Sequence, residues 1–222
     1  MLKIVERMEG YGVNTSALRH QSGDYTALTV AVSDAKDRAF FTYAGPNERT
    51  RQILEDEPLP SARHIHLACI PTLGAMRRLR AGGYTISVDI GWHPDWLADA
   101  RNAEVLRLAD IFFPNQREAA AMHHWLGELD GTTVVTKQGA EGSEVHWGGK
   151  RVSHAGFQVE TRETTGAGDC FDAGFLSAWL EGQPLEQCLR VGNACGALST
   201  REMGGIAGMP TKKQLEEFLC AR

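Results

Sequence analysis

One glycine-rich segment of the chain carries residue types suited to phosphoryl transfer. It reads Glu163-Thr164-Thr165-Gly166-Ala167-Gly168-Asp169, and an apolar run beginning at Cys170 follows directly. A turn that opens into a helix leaves backbone N–H groups free at the positive end of the helix dipole, where anions bind. Asp169 lies in the same turn, where a carboxylate can take the proton of a hydroxyl group. The segment predicts phosphoryl transfer to an alcohol; a glycine turn that only packs a helix on a sheet is the alternative.

The same segment differs from two known phosphate-binding motifs. It lacks the third glycine of the dinucleotide-binding fingerprint, and no Lys-Ser/Thr pair follows it as in a Walker A loop. Thr-Thr-Gly-Ala-Gly-Asp-Cys-Phe instead resembles the C-terminal signature of the ribokinase/PfkB family of carbohydrate kinases. The resemblance implies that Gly166, Ala167 and Gly168 form the anion hole and that Asp169 is the catalytic base. It also implies ATP and Mg²⁺, with a sugar or a nucleoside as the acceptor.

A second motif, Pro114-Asn115-Gln116-Arg117-Glu118, follows a strand pattern and opens a helix pattern. Its spacing is that of a capping box, with Asn115 as the N-cap and Glu118 at the third helical residue. The motif also resembles the Asn-x-x-Glu motif of the family, which holds Mg²⁺ and its waters against the nucleotide phosphates. Magnesium prefers a carboxylate plus waters to a full protein cage. We therefore expect Asn115 and Glu118 to bind nucleotide, with Glu118 contacting Mg²⁺ through water.

Two further stretches resemble the nucleotide-binding parts of the family. A strand pattern ends at Lys137-Gln138-Gly139, and the resemblance places Lys137, Gly139 and Gly142 along the nucleotide phosphates and ribose. An ammonium suits a point contact to phosphate, and glycine lets a backbone approach a ligand closely. A solvent-exposed lysine at a strand end is the alternative for Lys137. Asn193 falls where family members place a residue near the adenine.

A possible monovalent-cation site is implied by the loop 200–210, which resembles the family's Thr-Arg-x-Gly-Ala…Pro stretch. Its ligands would be drawn from residues on both sides of the anion turn, namely Glu163, Thr165, Ser199, Glu202 and Gly204. The chain departs from the family here, because Glu163 replaces the usual Asp and Gly205 the usual Ala. Potassium is the ion that the resemblance implies for this site.

Composition excludes several other classes of function. The 222 residues carry a net charge of -5, and the longest basic runs are Arg77-Arg78 and Lys212-Lys213. Nucleic acid is therefore not an expected partner. No apolar run reaches membrane-spanning length, so no membrane is expected either. The five cysteines are scattered, with no Cys-x-x-Cys pair, which indicates free thiols in a reducing cytoplasm.

Strand and helix patterns alternate over most of the chain, which predicts an α/β fold with a mostly parallel sheet. The resemblance makes this a ribokinase-like three-layer sandwich, expected to be one domain over residues 1–222 with a partial β lid at 26–43. Strands are predicted at 26–33, 39–43, 65–70, 84–89, 111–113 and 132–136, with a second hairpin at 144–153. Helices are predicted at 72–80, 94–108, 116–126, 169–180, 185–200 and 212–219. Asp89, Asn115 and Lys137 each follow a strand, and ligands gather at such carboxyl ends.

The resemblance begins partway into the family pattern, after the strand and the Gly-Gly…Asn segment that grip the sugar in family members. Three interpretations stay open: a chain truncated from a full kinase, a complete chain that binds nucleotide without efficient transfer, or an oligomer that recovers its acceptor site. In the third, the lid hairpin covers a neighbour, and a homodimer is expected. Arg38 in this hairpin either contacts an acidic or phosphorylated acceptor or is an ordinary edge-strand charge. A neutral sugar is the first acceptor expected, and a nucleoside the second.

Overall fold

A computed structural model of the chain describes residues 2–19, 25–33, 38–45 and 49–222. It contains two compact units, Met1–Arg63 and His64–Arg222. No helix among the described residues is long and apolar enough to cross a bilayer. That residues 1–222 behave as one domain stays a prediction, and a single cooperative unfolding transition would support it.

The first unit contains the predicted hairpin. Helix α1 (Leu2–Gly10) precedes strands β1 (Leu28–Ser33) and β2 (Arg38–Tyr43), and helix α2 (Thr50–Asp56) follows them. The strands are antiparallel, with Leu28 opposite Tyr43 and Val30 opposite Phe41. This confirms the small antiparallel sheet, although its predicted turn at 34–37 lies outside the described residues. Arg38 is the first residue of β2, and its side chain also lies outside the described part of the chain.

The second unit is built on a six-stranded sheet with strands in the order of the chain. The strands are β3 (His64–Leu67), β4 (Thr85–Val88), β5 (Ile111–Phe112), β6 (Thr133–Lys137), β7 (Gly142–Trp147) and β8 (Lys150–Ala155). The first four are parallel, and β7 and β8 add an antiparallel hairpin. The predicted α/β class with a mostly parallel sheet is confirmed.

Helices connect the parallel strands and then complete the unit. The connecting helices are α3 (Leu73–Ala81), α4 (Pro94–Leu97), α5 (Ala103–Leu106) and α6 (Gln116–Ala121). After the sheet come α7 (Ala167–Leu180), α8 (Leu185–Ser199) and α9 (Lys212–Cys220). Three consecutive residues of β4, Ile86, Ser87 and Val88, are fully buried. Side chains alternate between the two faces of a strand, so both faces of the sheet are covered.

Two predicted helices are shorter in the structure than their sequence pattern indicated. The helix predicted over 94–108 is interrupted, because the Asp99 side chain accepts a hydrogen bond from the Arg101 N–H at 3.0 Å and caps a 3₁₀ turn at Ala100–Asn102. The helix predicted over 116–126 ends at Ala121. Asparagine, aspartate and serine side chains offer the backbone such local alternatives to a continuous helix.

The main core cluster joins the sheet to α7 and α8. Ile111, Phe113 and Val135 from the sheet pack with Phe171 and Phe175, all at most 5% exposed. The Phe113 ring meets the Phe175 ring edge-on at 5.4 Å between centroids, a favourable aromatic arrangement. This packing fixes the start of α7 against the carboxyl ends of the central strands.

Candidate functional site

Backbone hydrogen bonds align the carboxyl ends of the parallel strands. The N–H of Asp89, just after β4, bonds to the Leu67 carbonyl at 2.9 Å. The N–H of Lys137, at the end of β6, bonds to the Pro114 carbonyl at 2.9 Å, and Asn115 and Lys137 form an isolated parallel bridge. The three polar residues that the sequence placed after strands therefore lie along one edge of the sheet.

The glycine-rich turn lies at the start of α7, as predicted. Gly166 is the N-cap with φ +79°, a left-handed conformation that glycine adopts without strain. The Ala167 N–H bonds to the Thr164 carbonyl at 3.2 Å. The N–H groups of Gly168 and Asp169 make no hydrogen bond to any described residue. Among the described residues, the unpaired donors of the turn are thus those of Gly166, Gly168 and Asp169, whereas the predicted donor on Ala167 is already in use.

Two aspartates one helical turn apart on α7 have opposite environments. Asp169, the predicted base, is exposed at the mouth of the turn. Asp172 is only 2% exposed. Residues three apart in a helix lie on neighbouring positions of its surface, so the two carboxylates belong to adjacent turns of α7. The exposed carboxylate can meet a substrate, and the buried one can contact only protein.

Lys137 lies between two carboxylates. Its ammonium nitrogen is 2.6 Å from Asp89 Oδ2 and 3.2 Å from both carboxylate oxygens of Asp172. The lysine side chain is only 12% exposed, so it is not the exposed strand-end lysine that was the alternative interpretation. Asp89 is further held by the Gly91 N–H at 3.0 Å. The three side chains form one part of the site, here called the Lys137 cluster.

Charge and burial compete within the Lys137 cluster. Burial acts to lower the pKa of Lys137, but the charges of Asp172 and Asp89 outweigh burial and raise it. Burial also acts to raise the pKa of Asp89, but Lys137 and the hydrogen bonds around that carboxylate lower it overall. For Asp172, burial dominates and raises the pKa well above its ordinary value. Lys137 is therefore charged at neutral pH.

Asn115 and Glu118 form the predicted capping box. The Glu118 N–H donates to Asn115 Oδ1 at 3.0 Å, while Asn115 N and Nδ2 donate to the Glu118 carboxylate at 2.8 and 2.7 Å. Glu118 is 3% exposed, and burial raises its pKa despite these bonds. Each carboxylate oxygen keeps a further lone pair, so the donor chemistry suits a Mg²⁺ contact. A contact through water stays a prediction.

A cavity of about 300 Å³ opens beside the glycine turn. Its lining includes four of the predicted nucleotide-binding residues, Lys137, Gly139, Gly142 and Asn193, together with Ala167 and Gly168 of the turn. The volume is at the lower end of the range for small-molecule sites. The predicted nucleotide-binding residues and part of the glycine turn thus line one cleft.

Local geometry explains why two of these positions suit their residues. Gly142 has φ +113°, and a side chain there would place Cβ 2.1 Å from the His154 carbonyl oxygen. Asn193 is 7% exposed and donates from Nδ2 to the same carbonyl at 3.1 Å. Both residues therefore fix the β8 end of the cavity wall, in addition to lining the cavity.

The residues predicted for a monovalent cation lie on two adjacent segments. Glu163 Oε1 accepts hydrogen bonds from Thr165 N and Oγ1 at 2.8 and 2.7 Å. A Cβ on Gly166 would lie 2.6 Å from the Gly205 carbonyl oxygen, so the following loop packs directly against the turn. The two segments are adjacent, as a shared cation site requires.

The remaining cation candidates already have protein partners. The Ser199 hydroxyl donates to the Gly196 carbonyl at 2.8 Å. Glu202 is exposed and lies 3.7 Å from Arg162, and the Gly204 carbonyl accepts from Ala207 N at 3.4 Å. The cation site stays a prediction.

Sequence reasoning did not assign a role to Asp172, and it noted Asp89 only as a polar residue after a strand. A signal for Asp172 was present, because it is the only acid in the apolar run Cys170–Leu176. Buried acids are rare unless they are paired. The partner could not be identified from the sequence, since Lys137 lies 35 residues away.

Comparisons with known proteins agree with the geometry. The profile of the pfkB family carbohydrate kinases matches residues 3–212. The ATP-dependent ribose-1-phosphate kinase of Halopiger xanaduensis is 33% identical over 225 residues, which cover 97% of this chain and 75% of that protein.

Solved structures share the fold at lower identity. The Burkholderia thailandensis nucleoside kinase in complex with inosine has a TM-score of 0.86 at 18% identity, covering 99% of this chain and 77% of that one. A putative ribokinase II from E. coli in complex with ATP and Mg²⁺ has a TM-score of 0.78 at 22% identity, covering 98% and 78%.

Proposed function

The chain belongs to the pfkB family of carbohydrate kinases, and we propose that it transfers a phosphoryl group from ATP to a sugar hydroxyl with Asp169 as the base. The observation that carries this proposal is the placement of one exposed carboxylate at the start of α7 beside the N–H groups of Gly168 and Asp169, which have no hydrogen-bond partner in the described part of the chain. Donors aimed at developing charge stabilise a phosphoryl-transfer transition state, and an adjacent carboxylate activates the hydroxyl.

The proposed reaction assigns a role to each part of the turn. Asp169 takes the proton of the acceptor hydroxyl as the acceptor oxygen bonds to the γ-phosphorus. The bond from that phosphorus to the bridging oxygen breaks, and ADP leaves with the electron pair. Gly166, Ala167 and Gly168 form the turn, and the N–H groups of Gly168 and Asp169 stabilise charge on the transferring group.

The cleft lined by Lys137, Gly139, Gly142 and Asn193 is proposed to hold the nucleotide. Its phosphate end lies at the turn, where Lys137 and Gly168 both line the cavity. Asn115 and Glu118 would hold Mg²⁺, chiefly through water. When bound, this ion neutralises phosphate charge during transfer. A potassium ion near Glu163 and Gly204 remains a further proposal, testable by activity in potassium against tetramethylammonium salts.

A sugar hydroxyl is the proposed acceptor, and a nucleoside is the alternative acceptor. The H. xanaduensis relative is named for ribose 1-phosphate. Phosphorylated pentoses should therefore be tested as acceptors together with sugars and nucleosides. A role for Arg38 in such an acceptor site stays a prediction. Replacing it with alanine should raise KM for phosphorylated acceptors selectively if it contacts them.

The test is an acceptor screen with Mg-ATP, paired with calorimetric titration of Mg-ATP alone. The proposal expects ADP release and a phosphorylated product with at least one sugar, sugar phosphate or nucleoside. Mg-ATP binding without transfer to any acceptor would instead support a nucleotide-binding, non-catalytic protein, which is the other interpretation of an intact phosphate turn.

The hairpin of the first unit supports a proposed homodimer. Leu28, Val30, Val32, Phe41 and Tyr43 are each 49% exposed or more, and the register pairs Leu28 with Tyr43 and Val30 with Phe41. A contiguous apolar face of this kind is unusual on a monomer. A flat face can pack against its own copy about a two-fold axis. Sedimentation of the wild type against Val30→Glu would test this. None of the five cysteines, all of which lie in the described part of the chain, forms a disulfide bond, which supports the proposed cytoplasmic location.

A further inference from the structure

The Lys137 cluster has a geometry that nucleotide binding alone does not require. Lys137 ends β6, Asp89 follows β4, and Asp172 is in the second turn of α7. A lysine that only contacted phosphate would need no buried acid behind it. Here two acids from separate elements hold it, so the direction of its ammonium group is fixed from two sides.

Hydrogen-bond capacity shows what remains available on Lys137. An ammonium group has three N–H donors. Asp89 accepts one at 2.6 Å, and Asp172 receives another that its two oxygens share at equal distances of 3.2 Å. One donor is therefore left over, and the lysine borders the cavity beside the turn.

The Lys137 ammonium group lies close to the glycine-rich turn. A Cβ on Gly168 would lie 3.5 Å from Lys137 Nζ. Because position 168 is glycine, no side chain stands between the ammonium group and an anion bound at the turn. Gly168 and Lys137 thus border the same cavity.

On the basis of the proposed kinase reaction, we propose that Lys137 binds the phosphoryl group in transfer and that Asp89 and Asp172 are positioning residues that aim it. Lys137 would then be a catalytic residue rather than a general nucleotide contact. Asp172 would act only through the lysine, since it is 2% exposed. Charge stabilisation realised mainly in the transition state affects kcat more than KM.

The test compares kcat, KM for ATP and thermal stability of four proteins: the wild type, Lys137→Met, Asp172→Asn and the double variant Lys137→Met/Asp172→Leu. We expect Lys137→Met to lower kcat by about 100-fold or more, with KM for ATP changed far less. Asp172→Asn should lower kcat by a smaller factor, on the order of ten. The double variant removes Asp172, the more buried of the two acids that Lys137→Met leaves without an ammonium partner. It should recover part of the thermal stability but not kcat, because hydrophobic residues can replace buried charged groups in folding.

The Arg80–Asp110 ion pair serves as the matched control. It joins α3, which carries Arg80, to the sheet, with Asp110 just before β5 at the end of the strand remote from the turn. The Arg80 and Asp110 side-chain atoms are 2.9 Å apart. Arg80→Met should reduce stability without a change in kcat. The inference is overturned if Lys137→Met keeps wild-type kcat, or if the double variant recovers kcat together with stability. A wild-type chain that transfers phosphate to no acceptor would overturn the proposed function itself, a separate result.

Discussion

The Lys137 ammonium group lies 3.2 Å from both carboxylate oxygens of Asp172, which joins the end of a sheet strand to the helix that carries the proposed base. Asp169 is three residues earlier on that helix. The contact therefore helps to fix the position of the glycine-rich turn relative to the sheet. The aromatic packing of Phe113 with Phe175 holds α7 against the sheet as well.

The first prediction concerns the backbone of the anion turn. Gly166→Ala places a Cβ 2.6 Å from the Gly205 carbonyl oxygen at a φ of +79°. It should cost about 1–3 kcal/mol of unfolding free energy and strongly reduce phosphoryl transfer. Gly182→Ala is the control, because Gly182 has a similar φ of +76° with no atom within 4 Å. Gly182→Ala should cost about 1 kcal/mol and keep kcat. Equal kcat values for the two variants would mean that the turn does not take part in the reaction.

The second prediction separates the structural from the functional role of the capping box. Asn115→Ala should destabilise the chain by about 1 kcal/mol and raise the Mg²⁺ concentration needed for half-maximal turnover, because Glu118 loses two hydrogen bonds. Thr211 forms a second capping box with Gln214 at the start of α9. Thr211→Ala should cost similar stability with no change in the Mg²⁺ requirement. Turnover of both variants measured against Mg²⁺ concentration distinguishes the two roles. Identical curves would mean that Asn115 only caps the helix.

The third prediction follows from His64. Its ring nitrogens lie 2.9 Å from Thr85 Oγ1 and 2.8 Å from Ser87 Oγ, and burial, with the nearby His66, lowers its pKa below 6.5 despite Asp110. The folded state therefore favours neutral His64. Its contribution to stability is complete above the unfolded pKa of about 6.5 and declines as pH falls below that value. Denaturant unfolding at pH 7.5 and 5.5 should show a smaller decline for His64→Asn than for the wild type. Equal declines in the free energy of unfolding for the two proteins would mean that His64 does not contribute to the pH dependence of stability.

Sequence patterns predicted the parts of the site that depend on local chemistry. The turn at Gly166 and the capping box at Asn115 are each defined by a few adjacent residues, whose backbone preferences and side-chain reach are short-range. The alternation of strands and helices likewise placed Asp89, Asn115 and Lys137 at one edge of the sheet.

What the sequence could not supply was burial and long-range pairing. Lys137 at a strand end was compatible with an exposed side chain, and only the packing of α7 across the sheet encloses it. The interruption of the helix pattern near Asp99 was missed for a different reason, because a side-chain cap on Arg101 N competes with helix continuation, and the apolar periodicity does not record that competition.

The most direct test of the account is turnover by Asp169→Asn, measured with saturating ATP and the best acceptor from the screen. Asparagine keeps the shape of the side chain but cannot take a proton, so we predict a loss in kcat of about two orders of magnitude or more, with the Kd for Mg-ATP unchanged by calorimetry. Asp95→Asn, an exposed acid in the first turn of α4, should retain full turnover. Wild-type kcat in the Asp169→Asn variant would contradict the assignment of the base and, with it, the proposed mechanism.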